Sequence, residues 1–346
     1  MIYVDNAATT KMDDVVFAGM LPYIKDYYGN ASSQHSFGQL TRKVIAQARH
    51  EFALALNAKD NEIFFTSCGS ESDNWAIKGV AQALRHKGNH IITTSIEHPA
   101  ILNACKTIEK IGLKVTYLPV DKYGMVSPYD VQASLRPNTI LISIMYANNE
   151  VGTLQPIKEI GLIAKKNKIS FHTDAVQAVG HVNIDVIDLN VDLLSASAHK
   201  FNGPKGVGIL YIKDGTPIVP LVDGGHQEKG QRAGTENVAG IVGAGIAIKN
   251  NLTDIERNTS KLKMLSSRTV TKLCSRLPNI KINGHETKRL PGIINISIPK
   301  IEGESMMHIL DMKGICISTG SACTSGEMST SHVLQAMSIN QEDAKS

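Results

Sequence analysis

Residues 62–85 read EIFFTSCGSESDNWAIKGVAQALR. The first five, EIFFT, form a short run of apolar and aromatic residues of the strand type. They pass through Thr66-Ser67-Cys68-Gly69-Ser70 into 71–85, where apolar residues recur at helical spacing. A strand, a glycine-bearing turn and a helix make a βα unit. The alternation continues downstream. Segments 90–94, 114–118, 139–145, 169–173, 193–197 and 207–212 read as strands. Segments 99–110, with proline in its first turn, and 157–166 read as helices. This order predicts an α/β chain whose mostly parallel sheet is covered on both faces.

Upstream, Leu40, Val44, Ala48, Phe52 and Leu56 recur every four residues, one face of a helix ending near Asn57. Downstream, residues 223–237 (DGGHQEKGQRAGTEN) are polar and glycine-rich, and a loop that long inside a compact domain is usually functional or disordered. Residues 238–277 read as helical with a break. The pattern then becomes strand (280–283), strand (293–298), helix (304–312) and strand (315–318), a smaller α+β unit.

The chain has 346 residues, about two domains by length. With 42% hydrophobic and 20% charged residues it has an ordinary globular composition, which argues against disorder. The excess of 36 basic over 32 acidic residues is too small and too evenly spread to predict a nucleic-acid surface. The longest uncharged apolar stretch, 238–248, falls far short of a membrane span. The start MIYVDNAATT lacks the basic and apolar regions of a secretory signal. Cys68, Cys105, Cys274, Cys316 and Cys323 are odd in number and form no CxxC, against a disulfide framework or a zinc site of paired cysteines. A cytoplasmic protein with free thiols is expected, with no nucleic-acid or membrane partner.

Open parallel sheets bind ligands at the carboxyl ends of their strands. Four predicted ends carry polar groups: Thr66–Glu71, Tyr146–Glu150, Asp174–Gln177 and Ala198–Lys200. A lysine able to form a Schiff base and an aspartate able to keep a pyridine nitrogen protonated are the protein groups that pyridoxal phosphate requires. Lys200 and Asp174 fit that pair, although many strands end in Asp or Lys. Gly69-Ser70-Glu71 opens a helix where backbone N–H groups attract an anion, and Ser70 serves equally well as a plain N-cap. Ser197 and His199 flank the lysine as further phosphate donors. His98, just after a strand, either stacks on an aromatic cofactor or is structural. Cys105, Cys274 and Cys316 read as small buried hydrophobes. Cys323, in Ser318-Thr319-Gly320-Ser321-Ala322-Cys323-Thr324-Ser325-Gly326, has no bulky neighbour and reads as exposed on a mobile loop. As a nucleophile it needs a nearby cation or proton acceptor, because an unperturbed thiol of pKa about 8.5 is mostly protonated near neutrality.

These pieces occur together, in one order, in a known family. The chain resembles the NifS/IscS-like cysteine desulfurases, pyridoxal-phosphate enzymes of the class-V aminotransferase group. The matching stretches are YVDNAATT (3–10), NASSQH (30–35), TSCGSESDN (66–74), EHPA (97–100), NNEVGTLQP (148–156), HTDAVQAVG (172–180), SASAHKFNGPKGVG (195–208), QRAGTEN (231–237) and STGSACTS (318–325). Gly69 and Ser70 stand where alanine and threonine are common, both mild changes. The resemblance implies the type I fold of pyridoxal-phosphate transferases: a seven-stranded, mostly parallel sheet in a large domain (14–250), with a smaller α+β domain (1–13 and 251–346) carrying the cysteine loop. It implies Lys200, Cys323 and His98 as the catalytic set. Lys200 would hold the cofactor aldehyde, Asp174 the pyridine nitrogen and Gln177 the phenolic oxygen, with His98 stacked on the ring. Gly69, Ser70, Ser197 and His199 would bind the phosphate, and Asn149 both cofactor and substrate. Thr235 would reach the phosphate of a neighbouring subunit, so a homodimer is implied. No resident metal is implied, although Cys323 would be placed for passing contact with a cluster.

The implied reaction converts L-cysteine to L-alanine and leaves the sulfur as a persulfide on Cys323, for hand-over to an acceptor protein such as an iron–sulfur scaffold or sulfur carrier. The loop spelling is that of the group-I subclass. The family pattern continues with an arginine-bearing segment for the substrate carboxylate, beyond Gln341–Ser346. Selenocysteine lyase or another β-eliminating lyase, a cofactor-binding scaffold with impaired turnover, and a pyridoxal enzyme acting on other amino acids are the competing readings. The last leaves Cys323 without a role.

Overall fold

The computed structural model describes residues 1–319 and 330–346. In chain order its elements are β1 (Ile2–Tyr3), α1 (Asp14–Lys25), α2 (Ser36–Leu56), β2 (Ile63–Thr66), α3 (Gly69–Ala83), β3 (His90–Thr94), α4 (Pro99–Glu109), β4 (Lys114–Leu118), α5 (Pro128–Ala133), β5 (Thr139–Ser143), α6 (Ile157–Asn167), β6 (Ser170–Asp174), β7 (Leu193–Ser197) and β8 (Gly208–Ile212). The chain goes on through α7 (Val238–Thr253), α8 (Ile255–Arg276), β9 (Lys281–Asn283), β10 (Asn295–Ser297), α9 (Gly303–Met312), β11 (Ile315–Cys316), α10 (His332–Ala336) and α11 (Gln341–Lys345).

Seven strands form one sheet in the order β2-β8-β7-β6-β5-β3-β4. β8 runs antiparallel to both its neighbours, and the other pairings are parallel. The carboxyl ends of β2, β3, β5, β6 and β7 therefore share one edge. The strands are apolar throughout because both faces are covered, and successive residues divide between two cores. Phe65, Ile92, Ile142, Leu194 and Ile209 join Val16, Ala48, Phe52 and Ala244 on the side of α1, α2 and α7. Phe64, Ile91, Leu141, Leu193 and Leu210 join Trp75, Ile77 and Ile101 on the side of α3 and α4.

The helix expected from the four-residue repeat is α2, which stops at Asn57 in the left-handed conformation, its N–H bonded to the carbonyls of Ala53 and Leu54. The expected break in the later helical run falls at Asp254, between α7 and α8. α2 and α7 pack closely because Gly245 lies on Ala48, where an added Cβ would sit 2.8 Å from the Ala48 Cα. β1 pairs with β11 in parallel and β9 with β10 in antiparallel fashion. No described helix is long and apolar enough to cross a membrane.

The thiols correct one expectation. Cys105 is buried, but Cys316 is half-buried and Cys274 exposed. α8 turns Leu262, Ser266, Val270 and Leu273 toward the body, each half-buried, and Cys274 lies off that stripe. The strand expected over 139–145 stops at Ser143. Beyond it the Ile144 N–H still bonds to the His172 carbonyl, but the Met145 N–H turns to the Glu97 carboxyl.

Candidate active site

The carboxyl edge of β6 and β7 gathers the polar groups that the sequence singled out. Asp174 closes β6 and is 5% exposed, with its Oδ1 accepting from the Val176 N–H at 2.9 Å. Burial pushes its carboxyl above the usual range, while the nearby His98 and Lys200 pull it back down. A carboxylate so enclosed stays charged most readily when a cationic group lies against it.

Lys200 ends the short helical turn that follows β7. Its Nζ donates to the carbonyls of Ala7 (2.5 Å) and Ala8 (2.8 Å), and Gln177 Nε2 donates to the same Ala7 oxygen at 2.9 Å. The N-terminal segment thus straps across this end of the sheet. It is fixed there by Thr10, whose N–H and Oγ1 both donate to the His199 carbonyl. The His199 ring meets the Thr9 hydroxyl at 3.1 Å, and burial together with Lys200 and Lys205 takes its pKa down to about 4.

The start of α3 lies beside this edge. Among the described residues no side chain caps the helix at Cys68, so its first N–H groups are left for an external acceptor. Ser70 is an exposed first-turn residue and not the N-cap. A Cβ on Gly69 would sit 3.4 Å from Ser197 Cβ and 2.7 Å from Val176 Cγ2, so glycine leaves the cradle open. Ser197 is 1% exposed, and its hydroxyl has no hydrogen-bond partner among the described residues. An uncapped helix N-terminus facing a buried, unpartnered hydroxyl fits a phosphate. With Lys200 and Asp174 beside it, the donor set fits pyridoxal phosphate.

Of the two readings left open for His98, the geometry displays the structural one. It is the N-cap of α4, and its Nδ1 accepts from the Ala100 N–H at 3.1 Å. Burial lowers its pKa, Lys200 and His332 lower it further, and Asp174 opposes them. A neutral imidazole with Nδ1 accepting carries its hydrogen on Nε2. Asn149 is half-buried in a turn built by its neighbour. The Asn148 side chain bonds to the Ile96 carbonyl and to the N–H groups of Glu150 and Val151. Thr235 is exposed on the 223–237 loop, which is pinned to α3 by a two-pronged Arg232–Glu71 ion pair. Cys323 lies outside the described residues. Among the described residues, no cluster of three or more His, Cys, Asp or Glu side chains could hold a metal ion.

Sequence reading missed three parts of this site. The Ala7 and Ala8 carbonyls give no side-chain signal, although two successive alanines allow close backbone approach. Glu97 is fully buried beneath His98, with Thr94 Oγ1 and the Met145 N–H donating to its carboxyl, and burial takes it up to about 8. Arg232 anchors a loop that the sequence marked as polar and glycine-rich and in which it singled out Thr235 and not the arginine.

A lysine, a buried aspartate and an uncapped helix start lie together at one edge of a mostly parallel sheet, and residues 2–339 match the aminotransferase class-V family. The chain belongs to that family and, within it, to the NifS/IscS-like cysteine desulfurases. It is 54% identical over 341 residues to the cysteine desulfurase IscS of Methanosarcina thermophila, covering 99% of this chain and 84% of that one. A solved NifS-like protein superposes with a TM-score of 0.94 at 40% identity, covering 99% of this chain and 91% of the other. Another solved structure, described as SspA in complex with cysteine, superposes with a TM-score of 0.89 at 36% identity, covering 99% and 96%.

Proposed function

We propose that this protein binds pyridoxal 5′-phosphate at Lys200 and converts L-cysteine to L-alanine, passing the sulfur to Cys323 and then to an acceptor protein. The observation that carries the reading is the Lys200 amine and buried Asp174 beside an uncapped α3 that faces the unpartnered Ser197 hydroxyl. That a relative is described in complex with cysteine supports the substrate.

When bound, the cofactor supplies a ring that accepts the electron pair left when the substrate loses its Cα proton. The chain's residues do the rest. Lys200 Nζ, once off the Ala7 and Ala8 carbonyls, carries the Cα proton. Asp174 would hold a protonated ring nitrogen, the cationic partner its burial demands. Gln177 and His98 would help to hold the ring. Gly69, Ser70, Ser197 and His199 would hold the phosphate, and Asn149 would contact cofactor and substrate. Cys323 as thiolate bonds to the substrate sulfur while the Cβ–S bond breaks. The carbon keeps the electron pair and takes a proton to give alanine.

The working form is a homodimer in the cytoplasm. Exposed Val15, Phe17, Leu21 and Ile24 on α1 support a covered apolar face, and the exposed Thr235 supports reach to a neighbouring site. Residues 14–250 make the large domain, and 1–13 with 251–346 the small one, a division supported by the β1–β11 pairing. The test is spectroscopic. Mixed with pyridoxal phosphate, the protein gains a visible-edge absorption band and Lys200→Ala does not. A wild-type protein that stays colourless contradicts the reading.

A further inference from the structure

We propose that Asp5 and Glu150 are positioning residues, which fix the two ends of the Cys323 segment to the backbone that carries the cofactor site. The inference rests on the assignment of Cys323 as sulfur acceptor.

At the first end, Ser318 Oγ donates to Asp5 Oδ1 at 2.6 Å. Just before it, the Val4 N–H bonds to the Cys316 carbonyl at 3.0 Å and the Ile2 N–H to the Gly314 carbonyl at 2.7 Å. Asp5 opens the strap whose Ala7 and Ala8 carbonyls take the Lys200 amine. The Tyr3 hydroxyl lies 3.0 Å from both the Asp5 and Thr9 carbonyls and closes that strap into a loop. A short chain of bonds thus runs from Ser318 to Lys200. Cys323 lies five residues past Ser318 in the sequence.

At the second end, Ser331 is 6% exposed, and its Oγ donates to Glu150 Oε2. Glu150 follows Asn149 directly, and its N–H is held by Asn148. The next residue, His332, bonds through Nε2 to the carbonyl of Glu97, the neighbour of His98, at 3.0 Å. Each end of the segment thus meets a carboxylate set in the backbone of the cofactor site, Asp5 on the Lys200 strap and Glu150 beside Asn149. Holding both ends raises the effective concentration of a tethered thiol at its target, provided that the span matches the tether. The two serine–carboxylate bonds act on sulfur transfer.

The test separates cofactor chemistry from sulfur transfer in the loaded enzyme. Ser318→Ala and Glu150→Ala remove one anchor each, while Ser318→Thr and Glu150→Gln keep a hydrogen-bonding group at each place. L-Cysteine is added, the absorption change of the bound cofactor is followed by stopped flow, and sulfur on the Cys323 peptide is followed by quenched-flow mass spectrometry. The expected result is an absorption change at the wild-type rate, with sulfur arriving about tenfold more slowly or worse in the alanine variants and restored in the conservative ones. Sulfur arriving at the wild-type rate in both alanine variants overturns the proposal. So does equal slowing of both signals with no rescue, which marks a merely structural role. Wild-type enzyme that places no sulfur on Cys323 overturns the assignment beneath it, a failure distinct from the other two.

Discussion

Glu97 and His172 are both fully enclosed, yet they tie stability to pH in opposite directions. Burial raises Glu97 to about 8 from an ordinary value of 4.5, so the folded chain holds its proton more tightly than the unfolded one. Its contribution is complete below about pH 4.5 and is lost as pH rises toward 8. His172, bonded to Ser143 and Ser195 hydroxyls, is taken by burial down to about 3 from 6.5. Its contribution is complete above pH 6.5 and is lost as pH falls toward 3. Between pH 6.5 and 8 the buried acids dominate, because Glu97 is taken up to about 8 and Glu150 to about 7. The cofactor-free protein should therefore lose melting temperature across that window, and Glu97→Gln should lose less. An equal slope in both, measured by calorimetry, would contradict this account. Lys200 and Asp174 were legible in the sequence because strand ends and spacing locate them. Glu97 was not, since an acid beside a histidine gives no sign that three elements will close over it.

Among the elements, the loop over 223–237 owes its placement to two ion pairs. Glu228 is 7% exposed, accepts both prongs of Arg49, and also takes the Phe65 N–H at 2.9 Å, tying the loop to α2 and to β2. Removing one partner leaves the other buried and uncompensated, at a cost of about 3–5 kcal/mol. Glu228→Ala should therefore lower stability by that amount in urea unfolding, and a loss below about 1 kcal/mol would show the pair to be an ordinary surface contact. Most strands and α2, α3, α4, α6 and α9 were legible as apolar or helical-period runs, and a break in 238–277 was expected though not located; α1, α5, α10 and α11 were not read from the sequence. Their ends were less so, because ends are set by tertiary partners. The Glu97 carboxyl stops β5 at Ser143, and Gly69 rather than Glu71 opens α3. The exposure of Cys274 was lost to sequence reading for a related reason: a long helix touching the body along one stripe keeps its helical pattern on the bare side.

For the whole molecule, the sheet places the lysine, the aspartate and the phosphate cradle at one edge, and α1 leaves apolar side chains in solvent. Val15, Phe17, Leu21 and Ile24 are 47–61% exposed while Val16 and Met20 of the same helix are buried. Sedimentation should give twice the 37.4 kDa chain mass, and Phe17→Asp with Leu21→Asp should halve it. A wild-type chain that sediments as a monomer contradicts the dimer. The alternation of strands and helices made the fold readable in advance, and the motifs at the strand ends marked Asp174 and Lys200, which the structure brings to one edge. The strap of backbone carbonyls over Lys200 was hidden, because main-chain acceptors have no sequence signature. The central claim is that this edge frees the sulfur of cysteine for Cys323. The most direct measurement is mass spectrometry of the cofactor-loaded enzyme after exposure to L-cysteine, with alanine assayed in the same sample. The account predicts one added sulfur atom on the Cys323 peptide and alanine in matching amount, both absent from Cys323→Ser. Alanine and free sulfide released at an undiminished rate by Cys323→Ser would contradict it.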